Sequence, residues 1–180
     1  ALPIWLEGFD HSLLTKEQQE LYEMLMRFYR QERSAFEQGY AYYSEPCAPD
    51  GGVQASLPIT LSEYQFYTEQ DVRDYIALLG DVGRYYDDLV KYEEERARRG
   101  LFMTDDMVDQ VIEGCRTFIA NPEQNVLIAT FETRLDALDS LDEQARADYI
   151  KQNHAAVMDT VIPAYERMME GQIGRASCRE

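Results

Sequence analysis

Residues 104–119 read TDDMVDQVIEGCRTFI. Val108, Val111, Ile112, Cys115, Phe118 and Ile119 recur at three- and four-residue steps, the period of an α-helix with one buried face. Thr104 stands just before the run, where a hydroxyl can accept a hydrogen bond from a first-turn amide. Asp105 and Asp106 then place negative charge at the positive end of the helix dipole. A capped, acid-led, striped helix is the pattern that recurs through the chain.

Upstream, Thr68 with Asp71 opens a helix carrying Val72, Tyr75, Ile76 and Leu79 on one face. Gly80 and Gly83 predict a break, with a further helix from about Asp81 through LVKYEEERARR to Gly100. Thr15 with Gln18 forms a capping box, and Leu21, Met24, Leu25, Phe28, Phe36 and Tyr40 extend one long helix from about residue 16 to the low 40s. SEPCAPDGG then reads as a loop. In QASLPITLSEY, Ser56 is expected to cap a short helix with Pro58 in its first turn. The β-branched Ile59 and Thr60 allow at most a trivial strand near Gln54–Ile59.

Downstream, Asn121–Pro122 ends the stripe and starts a helix whose face is Leu127, Phe131, Leu135 and Leu138. Ser140 with Glu143 reads as a second capping box, opening a final helix from about Leu141 to Glu170. Pro163 inside it removes a backbone donor and predicts a kink near Val161. No long-period repeat and no sustained coiled-coil heptad is present. The fold class is all-α, an array of six or seven helices.

Composition bounds the function. Hydrophobic residues make up 45% of 180, enough for a real core. Thirty-four acids against 17 bases give a net charge of −17, which opposes binding to nucleic acid or an anionic membrane. No apolar run is long enough for a membrane span. The start, ALPIWLEGFDH, lacks the basic and long apolar regions of a signal peptide, and it lacks an initiator Met. Compartment is left open.

Candidate chemistry is sparse. The three cysteines, Cys47, Cys115 and Cys178, form no CxxC. Cys115 is expected in the core, and Cys47, in a Pro/Gly loop, as a mildly exposed thiol. His11 and His154 belong to no HExxH, and the Glu7/His11 spacing reads as incidental, because Gly8 opposes a helix there. Asp87–Asp88, Glu93–Glu94–Glu95 and Asp105–Asp106 are adjacent helical acids that diverge, and they read as solvated faces and helix starts. Tyr40, Tyr42 and Tyr43 before the loop, and Tyr64 and Tyr67 after it, suit either a groove wall or a helix–helix seam. No catalytic, cofactor-binding or metal residue is assigned.

GGVQASLPITLSEYQFYTEQDVRDYIALLGDVGRYYDDLVKYEEERARRGLFMTDDMVDQVIEGCRTFI, residues 51–119, followed by NHAAVMDTVIPAYERMMEG, residues 153–171, resembles the bacterial domain-of-unknown-function family eight-eight-five. The phrases that carry the likeness are Gly52-x-Gln54-x-x-x-Pro58, Leu61–Tyr64, the TEQDV helix start at Thr68, GLFM at Gly100–Met103 and PAY at Pro163–Tyr165. The likeness runs from about Leu13 to Gly171. It implies an incomplete part of a larger helical, metallopeptidase-like fold, lying before a His-Glu-x-x-Pro-Gly-His stretch. That stretch is absent here. The implied chemistry is zinc-activated water attacking a peptide carbonyl, with zinc and a peptide substrate belonging to the longer parent.

The last residues, IGRASCRE, resemble a translated sequencing adapter. The expected organisation is therefore residues 1–171 as the helical N-terminal part of a larger domain, and 172–180 as a non-native tail. The reading that follows is a scaffold and cleft wall of a zinc metallopeptidase, inactive alone, whose partner is the missing C-terminal half. The alternatives are a free-standing acidic interaction module and a metal-storing helical bundle. On the fragment reading, an exposed apolar face is expected on the Val108–Ile119 or Val157–Met169 helix.

Overall fold

The computed structural model describes residues 6–138 and 141–170. Among them the chain is all-α and no strand forms, so the Gln54–Ile59 segment is helical. The chain divides into two units between Ser44 and Glu45.

In the first unit, helix α1 spans Lys16–Glu37. Its capping box is complete: the Gln18 amide donates to Thr15 Oγ1 at 3.3 Å, and the Thr15 amide to Gln18 Oε1 at 2.9 Å. The helix stops short of the low 40s because Gly39 turns left-handed at φ 78°, and Tyr40–Tyr43 continue as a 3-10 turn. Met26 is buried, while Leu21, Met24 and Phe28 lie exposed.

The second unit is built around one long helix. Helix α2 spans Val53–Ser62, capped by Gly52 and not by Ser56, which already lies inside it. Helix α3 spans Glu69–Arg98 without interruption. Thr68 and Asp71 cap it reciprocally. The break expected at Gly80 and Gly83 does not occur. A Cβ at Gly83 would stand 3.3 Å from Arg167 Nη2 and 3.5 Å from Thr160 Cγ2, so this glycine serves a close crossing and not a hinge. At the far end, Gly100 takes φ 77°. Its amide donates to Ala97 O and the Leu101 amide to Arg96 O, both at 3.0 Å, which closes the helix as a Schellman turn.

Helix α4, Asp105–Ile119, is capped by Thr104 as expected. The single helix expected after Pro122 is broken into a 3-10 turn, Pro122–Gln124, then α5, Val126–Ala129, and α6, Phe131–Leu135. Buried Asn125 causes the break. It accepts from the Leu127 amide at 3.0 Å and donates to Phe118 O at 3.0 Å, ending one element and starting the next. Leu127, Phe131, Leu135 and Leu138 are nonetheless all buried.

Helix α7 spans Glu143–Ala156 with Asp142 as its cap, so Glu143 opens the helix and does not close a capping box. The expected cap, Ser140, lies outside the described residues. A π-turn at Val157–Val161 joins α7 to α8, Ile162–Met168. The π-turn lies where the sequence predicts a kink. Pro163 has no amide hydrogen for the carbonyl four residues back, and the wider turn absorbs the mismatch.

Helix α3 packs against α7, the π-turn and α8, while α2 packs against α4 and α5. The core between them includes Val72, Tyr75, Leu79, Tyr86, Val111, Phe131, Val157 and Tyr165. The α4 stripe and the π-turn thus face this core; exposed large apolar residues occur instead on α1, at Leu21, Met24, Phe28 and Phe36, and in the second unit at positions such as Ile59, Leu78 and Tyr85.

Two polar contacts hold α2. Pro58, inside it, cannot donate to the Gln54 carbonyl four residues back. The hydroxyl of Tyr165 donates to that carbonyl instead, at 2.6 Å, while accepting from the Tyr86 hydroxyl at 2.7 Å. At the end of α2, Arg134 donates to Leu61 O at 2.8 Å and Tyr64 O at 3.3 Å, with its guanidinium 4.6 Å from the Tyr75 ring centroid. Tyr165→Phe is expected to cost about 2–3 kcal/mol, because Gln54 O is left unsatisfied in the core. Pro58→Ala supplies the missing donor, so the double variant should recover about 1 kcal/mol relative to additivity in a urea-denaturation cycle.

Candidate functional site

Two features of the second unit combine polar groups with enclosure. The first is internal. On the last turns of α3, Glu93 and Arg96 are both buried, and Arg96 Nη1 donates to Glu93 Oε2 at 2.8 Å. Arg96 Nη2 also reaches Glu45 Oε1 at 3.4 Å. Burial holds the Glu93 carboxyl above the usual carboxylate range, with Arg96 pulling it back down. Beside this pair, Cys47 is fully buried and its thiol is pushed up to about 12, first by burial and then by the Glu93 charge. Burial raises Cys115 on α4 to about 11. Tyr86 and Tyr165 are both raised by burial. Thiols and phenols here stay protonated, so this cluster holds no ready nucleophile; its groups join α2, α3, α4, α8 and the loop before α2.

The second feature is a cleft of about 240 Å³ on the other side of α2. Pro49, Gln54, Ala55, Pro58, Ile59 and Ser62 form one wall, and Gln110, Gly114 and Phe118 of α4 form the other, with Val126 at the end. No lining residue is ionisable. Gln54 belongs to both features. Its side chain donates to Ala48 O at 2.6 Å and its backbone carbonyl accepts from Tyr165.

Several sequence readings change here. Glu93 is not on a solvated face; at 1% exposure it is the buried member of its acidic triplet, because Arg96 sits one turn on. Glu94 and Glu95 behave as expected and pair with Arg98 and Arg99. Asp87 pairs with Arg167 and Asp88 with Lys91, while Asp105 and Asp106 occupy the first turn of α4. Cys47 is not exposed, because the loop turns its side chain inward against α3 and α4; Cys115 is in the core. His11 sits in a 3-10 turn, 3.6 Å from Glu23, so no helical face carries it together with Glu7. His154 bonds Glu123 at 2.9 Å.

The tyrosines separate. Tyr64 packs with Phe66 and Tyr75 in an aromatic cluster with Phe131, a seam and not a groove wall. Tyr67, Tyr40 and Tyr43 are exposed. Gln54, Pro58, Ile59 and Phe118 were read in the sequence as helix and core residues and not as parts of a cleft. The available signal was Gly114, a glycine in the middle of the clearest helical stripe.

The resemblance implies zinc. Among the described residues no three His, Cys, Asp or Glu converge as metal ligands, and the buried Glu93 is paired with Arg96. These residues do not fit a zinc centre.

The model of a family described as "Bacterial protein of unknown function (DUF885)" matches residues 5–171. The chain belongs to this bacterial family. The match begins earlier than the likeness read from about Leu13. No curated protein matches the chain. Among solved structures, the chain is similar to a "putative lipoprotein" from Colwellia psychrerythraea, with a TM-score of 0.67 at 20% identity. The similarity covers 73% of this chain and 23% of that one. At this identity the likeness is one of fold. The chain spans less than a quarter of the length of the solved relative it matches.

The buried thiols give a direct test. In a Cys178→Ser background, Cys47 and Cys115 should alkylate at least about a hundredfold more slowly in the folded chain than in denaturing urea, at mildly alkaline pH. Stability should also fall with pH. Below the ordinary thiol value of 9.0 both states carry neutral thiols. As pH rises above it, the unfolded thiols ionise while the folded ones wait until about 11 and 12, so unfolding gains ground across that window. Equilibrium urea melts across the window check the slope.

Proposed function

We propose that this chain is the helical scaffold and cleft wall of a larger zinc-dependent peptidase, with the zinc ligands and catalytic groups in sequence beyond it. The observation that carries this reading is the face of α1. Leu21, Met24 and Phe28, at i, i+3 and i+7, are 50%, 60% and 55% exposed, and Phe36 further along is 73% exposed. A helix that repeats large apolar residues on one open face is built to be covered. The short span of this chain against its solved relative supplies a candidate cover, the remainder of a longer polypeptide. The metallopeptidase resemblance of residues 51–119 and 153–171 supports the same reading.

The rival is a free-standing acidic interaction module, in which the α1 face awaits another protein. The gene sequence beyond Gly171 separates the two: a His-Glu-x-x-Pro-Gly-His stretch supports the peptidase, and a stop codon supports the module. The functional test expresses both this chain and the longer protein and incubates each with a mixed peptide pool, with and without chelator. The longer protein is expected to cleave in a chelator-sensitive way and this chain to be inert. Cleavage by this chain alone would remove the division of labour. A metal-free, inactive longer protein would leave the module.

A further inference from the structure

We infer that the cleft between α2 and α4 is a subsite for one apolar, uncharged side chain of a bound peptide, an assignment that rests on the chain's reading as a cleft wall. The size comes first. At about 240 Å³ the cleft falls below the ~300–1,000 Å³ of sites that enclose whole drug-sized ligands. A single aliphatic or aromatic side chain is the right scale of guest.

The chemistry of the lining selects its character. Charged residues make up 28% of the sequence, with acids in two-fold excess, yet the ten lining residues include none. A charged side chain entering here would lose water and gain no counter-charge. Pro49, Pro58, Ile59, Phe118 and Val126 offer apolar contact instead, and Ile59 at 58% and Val126 at 40% leave that surface open to a guest.

Two residues point to a peptide as the carrier. Gln110 lies on the α4 wall, exposed, and no described residue hydrogen-bonds to its side-chain amide. A primary amide presents a donor and an acceptor together, the pair that a backbone peptide group complements. Gly114 lies one turn further on. A glycine inside a helix is destabilising relative to alanine unless the missing Cβ serves something. A Cβ at Gly114 would meet nothing within 4 Å, so no neighbour demands its absence. What the absent side chain provides is depth in the cleft that Gly114 lines. Gly80 on α3 likewise has open space around it but lines no part of this cleft, which makes it the matched control.

The experiment titrates the 180-residue chain with N-acetyl-leucinamide, N-acetyl-phenylalaninamide and N-acetyl-aspartamide while following backbone amide resonances. The first two should give saturable shifts at Ile59, Gly114 and Val126, and the aspartyl probe should give none. Gly114→Leu should weaken binding of the apolar probes at least tenfold. Gly114→Ala should melt higher than the parent and still bind more weakly, an opposition that a merely structural glycine would not show. Gly80→Ala should melt higher with binding unchanged. Absence of saturable shifts, equal binding of the aspartyl probe, or unchanged binding by Gly114→Leu would each overturn the subsite. If the longer protein cleaves peptides in a chelator-sensitive way while the cleft shows no shifts, the subsite fails and the peptidase reading stands. Saturable shifts beside an inactive, metal-free longer protein would keep an apolar side-chain site and discard its peptidase context.

Discussion

The hydroxyl of Tyr165 is the contact on which the second unit turns. It donates to the Gln54 carbonyl at 2.6 Å, a group that Pro58 leaves without its helical donor, and it accepts from Tyr86 at 2.7 Å. The Phe118 ring lies 4.6 Å from the Tyr165 ring, centroid to centroid. Helices α2, α3, α4 and α8 therefore meet at one side chain. A buried carbonyl without a partner costs more than a typical hydrogen bond contributes, so the arrangement is better described as a repaired defect than as an added bond. The repair requires α8 to present Tyr165 at the right depth. The π-turn that precedes α8, forced by Pro163, helps set that depth. The missing donor of Pro58 is made good by this contact, and that of Pro163 is accommodated by the π-turn.

Helix starts were legible in the sequence because their physics is local. Thr15, Thr68 and Thr104 each bond an amide within three residues, and nothing distant competes. Gly100 was legible for the same reason. Gly83 was not, because its role is set by Arg167 and Thr160 on elements far along the chain. A local propensity scale counts the cost of a helical glycine but not the close approach it permits. Ser140 reads as the cap because Glu143 stands three residues on, but the helix opens at the nearer carboxylate of Asp142. The extent of the helices after Pro122 escaped because one buried amide, that of Asn125, serves two elements at once.

The site was less legible than the fold, and the reason is again range. Glu93 reads as one acid among three in sequence, and its partner Arg96 together with the folded loop before α2, which brings Cys47 and Glu45 to α3, makes it the buried one. Its pairing with Arg96 is a cost recovered in part, since two charges leave water and one short bond joins them. A hydrophobic pair of similar volume would serve stability at least as well. The pair instead fixes which way the loop lies, because Arg96 also holds Glu45 on the loop side. Cys47 follows from that choice and is buried with it.

Helix α2 shows how the cleft depends on the whole unit. At ten residues, with a proline inside and a glycine cap that makes no side-chain bond, it is too short to persist alone. Its first-turn carbonyl at Gln54 is satisfied by a residue 111 positions later, and its late carbonyl at Leu61 by Arg134, 73 positions on. Arg134 can do this because three rings, Phe66, Tyr75 and Phe131, hold its guanidinium in place. One wall of the cleft is thus anchored from α6 and α8, while the other wall, α4, carries its own cap and its own stripe. The two walls have different origins, one local and one assembled. A perturbation that loosens α8 reaches both walls of the cleft through Tyr165, α2 by its hydroxyl on Gln54 and α4 by its ring against Phe118, so the shape of the cleft follows the integrity of α8.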